Sequence, residues 1–251
     1  MSAGFWLSDH AWASIEPLLP RNQSGARRVD DRRVISGIIQ VLRVGCRWQD
    51  CPADYGPSGT ICNRFNRWSR RGVWTRIFTL LSAQAGLPVD LSIDSTAVRA
   101  HRSAHCEKAG EKVQAIGRSC GGPTTKIHAL TDACGRAVAF LIGPGNGADI
   151  SAAPALLDKL SPPGRLLTDK GCDAKSLRAR LAESATEAVP RSTRSRKKSI
   201  PHDCAAYIAR NLIEGAIRRL KDWRRIATRY DKLAANFAST VAIEAVNLWW
   251  T

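Results

Sequence analysis

Long apolar runs and a leader sequence are both missing from this chain of 251 residues. It has no run of about 18 apolar residues, the length that a membrane-spanning helix needs, so we expect no membrane span. The first residues, MSAGFWLSDHAW, lack the basic and apolar regions of a signal peptide. We therefore expect a cytoplasmic protein.

Paired cysteines are missing as well, although the chain has 8 cysteines. No two of them stand in a Cys-x-x-Cys pair, so the spacing of a structural zinc site is absent. In a cytoplasmic protein such cysteines are expected to be reduced thiols that pack as small apolar residues. The sequence offers no reason to expect zinc.

Acidic residues are few relative to basic ones. The chain has 38 Lys and Arg against 22 Asp and Glu, a formal net charge of +16. Such an excess of positive charge usually indicates a polyanionic partner, most often nucleic acid.

The first third of the sequence predicts four short helices. Ser8 precedes the first of them, and Asp30 or Asp31 is placed to cap the second. Proline and glycine residues in RWQDCPADYGPSG interrupt the pattern before a third helix, expected from about Thr60 to Arg71. The fourth is VWTRIFTLLSAQ, residues 73–84.

The third helix has a row of arginines beside its apolar face. Arg64, Arg67 and Arg71 recur at helical spacing. Several short helices of which one is arginine-rich suggest a helix-turn-helix module that binds DNA. A plain helical bundle with a solvated basic face fits the spacing equally well, but the charge of the whole chain favours DNA.

Beyond Pro88 the pattern changes to strands. They are expected at residues 89–99, 124–133, 136–143, 165–171 and 187–190, with a tight turn at Cys134-Gly135. Helices are expected from about Asp149 and through Leu177 and Leu181. This alternation predicts a mixed sheet that is covered by helices.

Two aspartates interrupt apolar strands. Asp94 lies within LSIDSTAVRAH, and Asp169 ends the apolar run RLLTD. A buried carboxylate is costly without a partner, so a strand end or a salt bridge is the simple explanation for each. Two carboxylates on one sheet would also repel each other unless cations lie between them, and oxygen ligands suit Mg²⁺ or Mn²⁺.

A long helix expected from Asp203 to about Trp223 offers a third acid. At about 100° per residue, four of its positions fall within an arc of roughly 60°. They are Tyr207, Arg210, Glu214 and Lys221. Two roles for Glu214 stay open: an ion pair with a neighbouring basic residue, or a ligand of a metal ion. Before this helix, the basic stretch RSTRSRKKS at 191–199 is expected to contact phosphate.

These segments together resemble the DDE transposases of bacterial insertion sequences, in particular the insertion-sequence-five family. The signature Y-x₂-R-x₃-E-x₆-K is present as YIARNLIEGAIRRLK, residues 207–221, followed by DWRRIATRYDKLAANFAS. LSIDSTAVRAH and LLTDKGCD resemble the strands that carry the first and second aspartate. GRSCGGPTTKIHALTDACG resembles the family's strand-two region, and LSDHAWASIEPLLP and GVWTRIF resemble its N-terminal helices.

The resemblance implies a ribonuclease-H-like catalytic domain over residues 87–251, after a helical DNA-binding domain over residues 1–86. It implies that Asp94, Asp169 and Glu214 bind two Mg²⁺ or Mn²⁺ ions and that Tyr207, Arg210 and Lys221 contact DNA. The expected partners are the element's inverted repeats and target DNA, bound by a homodimer or a higher assembly. The expected reaction is cleavage at the element's ends and transfer of the 3′-OH to target DNA.

Two other functions stay open at this point. One is a ribonuclease-H-like nuclease that cuts DNA without joining it. The other is a DNA-binding regulator without catalysis, built on the arginine-bearing helix.

Overall fold

The structure, a computed structural model, describes residues 4–21, 30–84, 86, 89–104, 114–168, 175–190 and 211–249. The chain forms two compact units. The first, here the helical unit, consists of Met1–Leu81, His101–His105 and Leu220–Thr251. The second, here the sheet unit, consists of Ser82–Ala100 and Cys106–Arg219. The predicted domains, 1–86 and 87–251, differ from these units mainly in the last 32 residues (220–251), which belong to the helical unit.

The helical unit begins with helices whose first residues the sequence predicts well. Its helices are α1 (Asp9–Ile15), α2 (Asp31–Val44), α3 (Ser58–Arg70) and α4 (Val73–Gln84, which extends into the second unit). The Ser8 hydroxyl accepts the Ala11 N–H at 3.1 Å, and the Asp30 carboxylate accepts the Arg33 N–H at 3.1 Å. Ser8 therefore caps α1, and the predicted cap of α2 is confirmed at Asp30, since each side chain satisfies an N–H that the helix itself leaves unpaired.

The C-terminal part of the chain completes the core of the helical unit. After the short helix α8 (Arg224–Ala227) and the two-residue strand β7 (Thr228–Arg229), helix α9 (Ala234–Trp249) packs against α2 and α3. Phe65 and Trp68 of α3 and Phe237 of α9 are fully buried. This burial explains why residues 220–251 join the first unit. Helix α9 was not predicted from the sequence.

The sheet unit is built on a mixed β-sheet. Its strands are β1 (Asp90–Ala100), β2 (Gly117–Ser119), β3 (Gly122–Asp132), β4 (Ala137–Pro144), β5 (Arg165–Thr168) and β6 (Glu187–Pro190). Strand β3 is antiparallel to β1, β2 and β4, whereas β5 is parallel to β1 and to β6. The order β4-β3-β1-β5-β6 with these directions is that of a ribonuclease-H-like sheet, which confirms the predicted fold class.

Helices cover this sheet. Helix α5 (Asp149–Leu157) packs on β1, β3 and β4, and α6 (Lys175–Glu183) packs on β6. Helix α7 spans Asn211–Leu220, and its residues as far as Arg219 belong to the same unit. Strand β2 was not predicted from the sequence.

The hairpin between β3 and β4 turns where the sequence predicts it. Gly135 adopts φ +73°, a backbone conformation that suits glycine. One oxygen of Asp132 accepts the N–H groups of Cys134 and Arg136, at 2.9 and 2.8 Å. The side chain of Asp132 therefore replaces the ladder bonds that the turn interrupts.

Membrane-spanning helices and the state of the cysteines can be described only for the ranges given above. Of the helices in the described ranges, none has the length and apolar character needed to cross a membrane. The cysteines described there are free thiols: Cys46, Cys51, Cys62, Cys120 and Cys134.

Candidate functional site

Asp94 lies in the middle of β1, the central strand of the sheet unit. Leu91 and Ile93 before it are buried, whereas Asp94 itself is half-buried. On the neighbouring strand β3 its partner is Ala129. One oxygen of the Asp94 carboxylate accepts the backbone N–H of Ser95 at 2.7 Å. The carboxylate thus lies partly in solvent, with one of its oxygens held by the backbone of its own strand.

The second aspartate, Asp169, lies outside the described residues. Strand β5 is described as far as Thr168, and its Leu167 pairs with Ser92 of β1. In the sequence, Asp94 follows Ser92 by two residues and Asp169 follows Leu167 by two residues. Strands β1 and β5 are thus neighbours in one sheet, whereas the placement of Asp169 itself stays a prediction.

Glu214 lies in the first turn of α7. The packing face of this helix consists of buried apolar residues, namely Ile213, Ala216, Ile217 and Leu220. Glu214 is half-buried beside that face, and a Cβ atom added at Gly215 would meet none of the described residues within 4 Å. The helix surface at residues 214–215 is therefore accessible within its unit.

The helix around Glu214 is shorter at its end than predicted. It ends at Leu220, because Trp223 is extended (φ −79°, ψ 123°) and buried, and α8 begins after it. Lys221 is thus the first residue after the helix, and the predicted continuation to Trp223 is wrong. Burial lowers the pKa of the Lys221 ammonium. Tyr207 and Arg210 lie outside the described residues, as does the basic stretch 191–199.

The carboxylates of Asp94 and Glu214 suit a hard divalent cation. Both are half-buried oxygen donors, which is the chemistry that Mg²⁺ and Mn²⁺ prefer. Among the residues that the structure describes, no group of three or more His, Cys, Asp and Glu side chains comes together to hold a metal. Since Asp169 is not among them, the predicted three-acid site stays a prediction.

A polar cluster lies on the opposite face of the sheet from Asp94, and it was not predicted from the sequence. The Ser95 hydroxyl donates to Asp149 at the start of α5, and the Lys126 ammonium donates to the same carboxylate oxygen at 2.9 Å. The alternation of side chains along a strand does predict that Ser95 and Asp94 lie on opposite faces of the sheet. The partner Asp149 could not be inferred, because it is 54 residues away in the chain.

Of the three arginines predicted to form a stripe on α3, one is internal. Arg64 is 5% exposed, pairs with Asp31 of α2, and has its guanidinium 4.9 Å from the centre of the Trp68 ring. The expectation that Arg64 shares an exposed face with Arg67 and Arg71 is therefore wrong. Its charge is used to join two helices of the helical unit.

The remaining basic residues of α3 and of the turn after it are exposed. Arg67, Arg70 and Arg71 are accessible, and Gly72 (φ +66°) makes the turn into α4. Arg70 was not among the predicted residues. A candidate anion-binding surface of the helical unit is therefore formed by Arg67, Arg70 and Arg71.

Two models of protein families together match most of the chain. Residues 86–247 match the model of a family described as "Transposase DDE domain". The chain belongs to the DDE transposases. Residues 7–78 of the transposase match a second model, described as "Putative transposase of IS4/5 family", which agrees with the predicted relationship.

Relatives of the transposase carry insertion-element names. It is 38% identical over 107 residues to the "Insertion element IS402 uncharacterized 16.2 kDa protein" of Burkholderia cepacia, covering 38% of this chain and 73% of that protein. It is 32% identical over 127 residues to the "Putative transposase for insertion sequence element IS6501" of Brucella ovis, covering 50% of this chain and 98% of that protein.

Solved structures that resemble the transposase are also transposases. One is the piggyBac transposase synaptic complex with hairpin DNA (TM-score 0.46, 11% identity, 94% of this chain and 69% of that chain). Another is the pre-cleavage Mos1 transpososome (TM-score 0.27, 10% identity, 90% of this chain and 80% of that chain).

Proposed function

We propose that this transposase binds the inverted repeats at the ends of a bacterial insertion sequence, cuts the DNA there and joins the freed 3′-OH to target DNA. The main support is the half-exposed Asp94 at the centre of a ribonuclease-H-like sheet, within a chain of the DDE transposase family. The excess of basic residues suits a DNA substrate. Acting on bacterial DNA, the protein would work in the cytoplasm at the nucleoid.

In this proposal Asp94, Asp169 and Glu214 hold two Mg²⁺ or Mn²⁺ ions. Such ions, when bound, lower the pKa of a water molecule and stabilise charge on the leaving oxygen. The positive charge of the ions would offset the negative charge of the three carboxylates. A negatively charged DNA phosphate could then approach the site. Their role is to bind and orient, and no residue of the chain needs to form a covalent bond with DNA.

Two phosphodiester exchanges make up the reaction. In the first, a water oxygen bonds to the phosphorus at the element's end while the bond from phosphorus to the 3′ oxygen breaks, which leaves a free 3′-OH. In the second, this hydroxyl bonds to a target phosphorus and a target 3′ oxygen leaves. Arg210 and Lys221 would hold phosphates during both exchanges, and Tyr207 would stack on or hydrogen-bond to DNA.

Two other functions are separated from this one by experiment. A nuclease would cut the ends of the element and fail to join pre-cut ends to a plasmid. A regulator would bind the ends without cutting them in Mg²⁺ or Mn²⁺. Inverted repeats in the DNA that brackets the gene would supply the substrate for both assays, and joining of pre-cut ends is the result that the proposal expects.

Metal dependence gives the first testable prediction. Because all three proposed ligands are carboxylates, cleavage should need Mg²⁺ or Mn²⁺, whereas Ca²⁺ should support binding to the ends without cutting. The measurement is cleavage of end DNA in each cation and in excess chelator. Strong cleavage in the presence of chelator would contradict the proposal.

The exposed arginines of the helical unit are proposed to bind the ends of the element. Replacing Arg67 and Arg71 together by alanine should weaken binding to end DNA. It should also reduce the slope of log K against log salt by up to about 2, since each phosphate that an arginine neutralises adds roughly 0.9 to that slope. The measurement is a salt titration of binding by fluorescence anisotropy.

A matched control for this pair is available in the same unit. Arg76 of α4 is also exposed, so Arg76→Ala tests the removal of one positive charge that is not among the three proposed arginines. Arg64 is left unchanged, because its removal would leave Asp31 without its buried partner and would confound affinity with stability. An affinity and a salt slope equal to those of the native protein would remove α3 from the DNA interface.

A further inference from the structure

Ser95 connects the two faces of the sheet unit. Its neighbour Asp94 and the partner residue Ala129 lie on one face, and Ser95 and its partner His128 lie on the other. The backbone N–H of Ser95 donates to the Asp94 carboxylate at 2.7 Å, and its hydroxyl donates to the Asp149 carboxylate. A single residue therefore holds Asp94 through its backbone and is itself held through its side chain.

Asp149, which accepts from the Ser95 hydroxyl, is itself held by a further hydrogen bond. Asp149 lies at the start of α5, and its oxygen that accepts from Ser95 also accepts from Lys126 of β3 at 2.9 Å. The Lys126 ammonium donates in addition to the carbonyl oxygen of Gly147 at 2.8 Å. Although burial alone would raise the pKa of Asp149, hydrogen bonds from Lys126 and Ser95 lower it overall, so the carboxylate is charged and paired.

The turn that carries Asp149 is fixed to β3 by close backbone contact. The Gly145 N–H donates to the Thr124 carbonyl oxygen at 3.0 Å. A Cβ atom at Gly145 would lie 1.8 Å from the Thr124 hydroxyl oxygen, so only glycine fits there. Because the turn has this little freedom, the Asp149 carboxylate has a defined position relative to β1.

We propose that Ser95 and Asp149 are positioning residues for the metal site. The Ser95 hydroxyl, held by Asp149 and Lys126 on one face of the sheet, fixes the backbone N–H that orients the Asp94 carboxylate on the other face. The inference rests on the proposed role of Asp94 as a metal ligand. Partners that hydrogen-bond to ligating carboxylates typically affect metal affinity or activity by about 10–100-fold.

The test is the affinity of the full-length protein for Mn²⁺, measured by electron paramagnetic resonance without DNA. Ser95→Ala should raise the half-saturating Mn²⁺ concentration by up to about tenfold, and Asp149→Ala, which removes the acceptor of the Ser95 hydroxyl, should have an effect of the same kind. Combining the two changes should add little, because both interrupt the same connection. Ser95→Thr, which keeps the hydroxyl, should restore most of the affinity.

Ser151→Ala is the matched control. Ser151 is an exposed serine of α5 whose hydroxyl donates to the Ala148 carbonyl oxygen and which does not take part in the connection. Melting temperature is measured for every variant. If Ser95→Ala does not fold, the folded Asp149→Ala variant decides the question by the same measurement.

The outcomes separate this inference from the function on which it rests. If Asp94→Asn binds Mn²⁺ as the native protein does, the proposed metal site is wrong. If Asp94→Asn no longer binds Mn²⁺ while Ser95→Ala and Asp149→Ala bind it within about twofold of the native protein, the metal site stands and the positioning role is wrong.

Discussion

Glu214→Gln should lower the rate of metal-dependent cleavage of end DNA by a factor on the order of 10³ or more, or about 4 kcal/mol of transition-state stabilisation. The substitution keeps the shape of the side chain and removes the charge that would hold a metal. Hydrolysis and joining should fall together, because both use the same site. Binding to end DNA should persist.

The surroundings of Glu214 make this substitution informative. Its helix is held by the buried residues Ile213, Ala216, Ile217 and Leu220, whereas none of the described residues would meet a Cβ atom at Gly215. Removal of the charge should therefore leave the helix folded. Glu183→Gln makes the same chemical change at an exposed position on α6 of the same unit, and serves as the control.

Lys221 is expected to behave differently from Glu214. Lys221→Ala would remove one phosphate contact, at a cost of about 1–3 kcal/mol, the scale of a charge-assisted hydrogen bond. Catalysis should fall but persist, and a higher DNA concentration should restore part of it.

If Glu214 serves only to stabilise its helix, Glu214→Gln would lower the melting temperature and leave cleavage per folded molecule near normal. Cleavage and melting temperature measured on one preparation decide between these results.

Glu244→Gln should stabilise the protein, and more so at high pH. Glu244 lies on α9, is fully buried, and has no hydrogen-bond partner for either carboxylate oxygen within the described ranges. Burial raises its pKa to about 10, against the opposing charge of Arg43 and with a smaller contribution from Asp222. The native protein therefore keeps this side chain neutral where the unfolded chain would ionise it.

The sign of the pH effect follows from that direction. Because the folded pKa is raised, the contribution of the group to stability is fully present below its unfolded pKa of about 4.3 and decreases as pH rises towards about 10. Glutamine has no such group. The difference in free energy of unfolding between the variant and the native protein should therefore increase from pH 5.5 to pH 8.5. The increase should be on the order of 2–4 kcal/mol in favour of the variant.

Urea unfolding at both pH values measures this difference. Glu16→Gln, at an exposed position of the same unit, controls for the chemical change itself. A difference between Glu244→Gln and the native protein that is the same at both pH values would mean that Glu244 is ionised in the folded state, with Arg43 as its partner.

Local patterns in the sequence predicted much of the fold. Ser8 and Asp30 marked the starts of two helices because a short polar side chain before an apolar period satisfies the first N–H groups of a helix. The strands β1, β3 and β4 followed from alternation and from the Cys134-Gly135 turn. The family resemblance supplied the ribonuclease-H-like fold class, which local patterns cannot define.

Features that depend on distant partners were missed. Helix α9 has a long run of buried residues in its middle, including Ser239, Thr240 and Glu244, so it lacks the one-sided apolar period that identifies a surface helix. Arg64 looked like a solvent-facing cation because its partner Asp31 is 33 residues away. The same reason explains why Ser95 was not recognised as a partner of Asp149.

Joining of pre-cut ends tests the proposed reaction itself. The purified protein is mixed with end DNA that already carries a free 3′-OH and with a supercoiled plasmid, in Mg²⁺ and in chelator. We predict joined products in Mg²⁺ alone, and their absence in Asp94→Asn, Asp169→Asn and Glu214→Gln variants that still bind the ends. Cleavage without any joining, or joining that persists in these three variants, would contradict the proposed function.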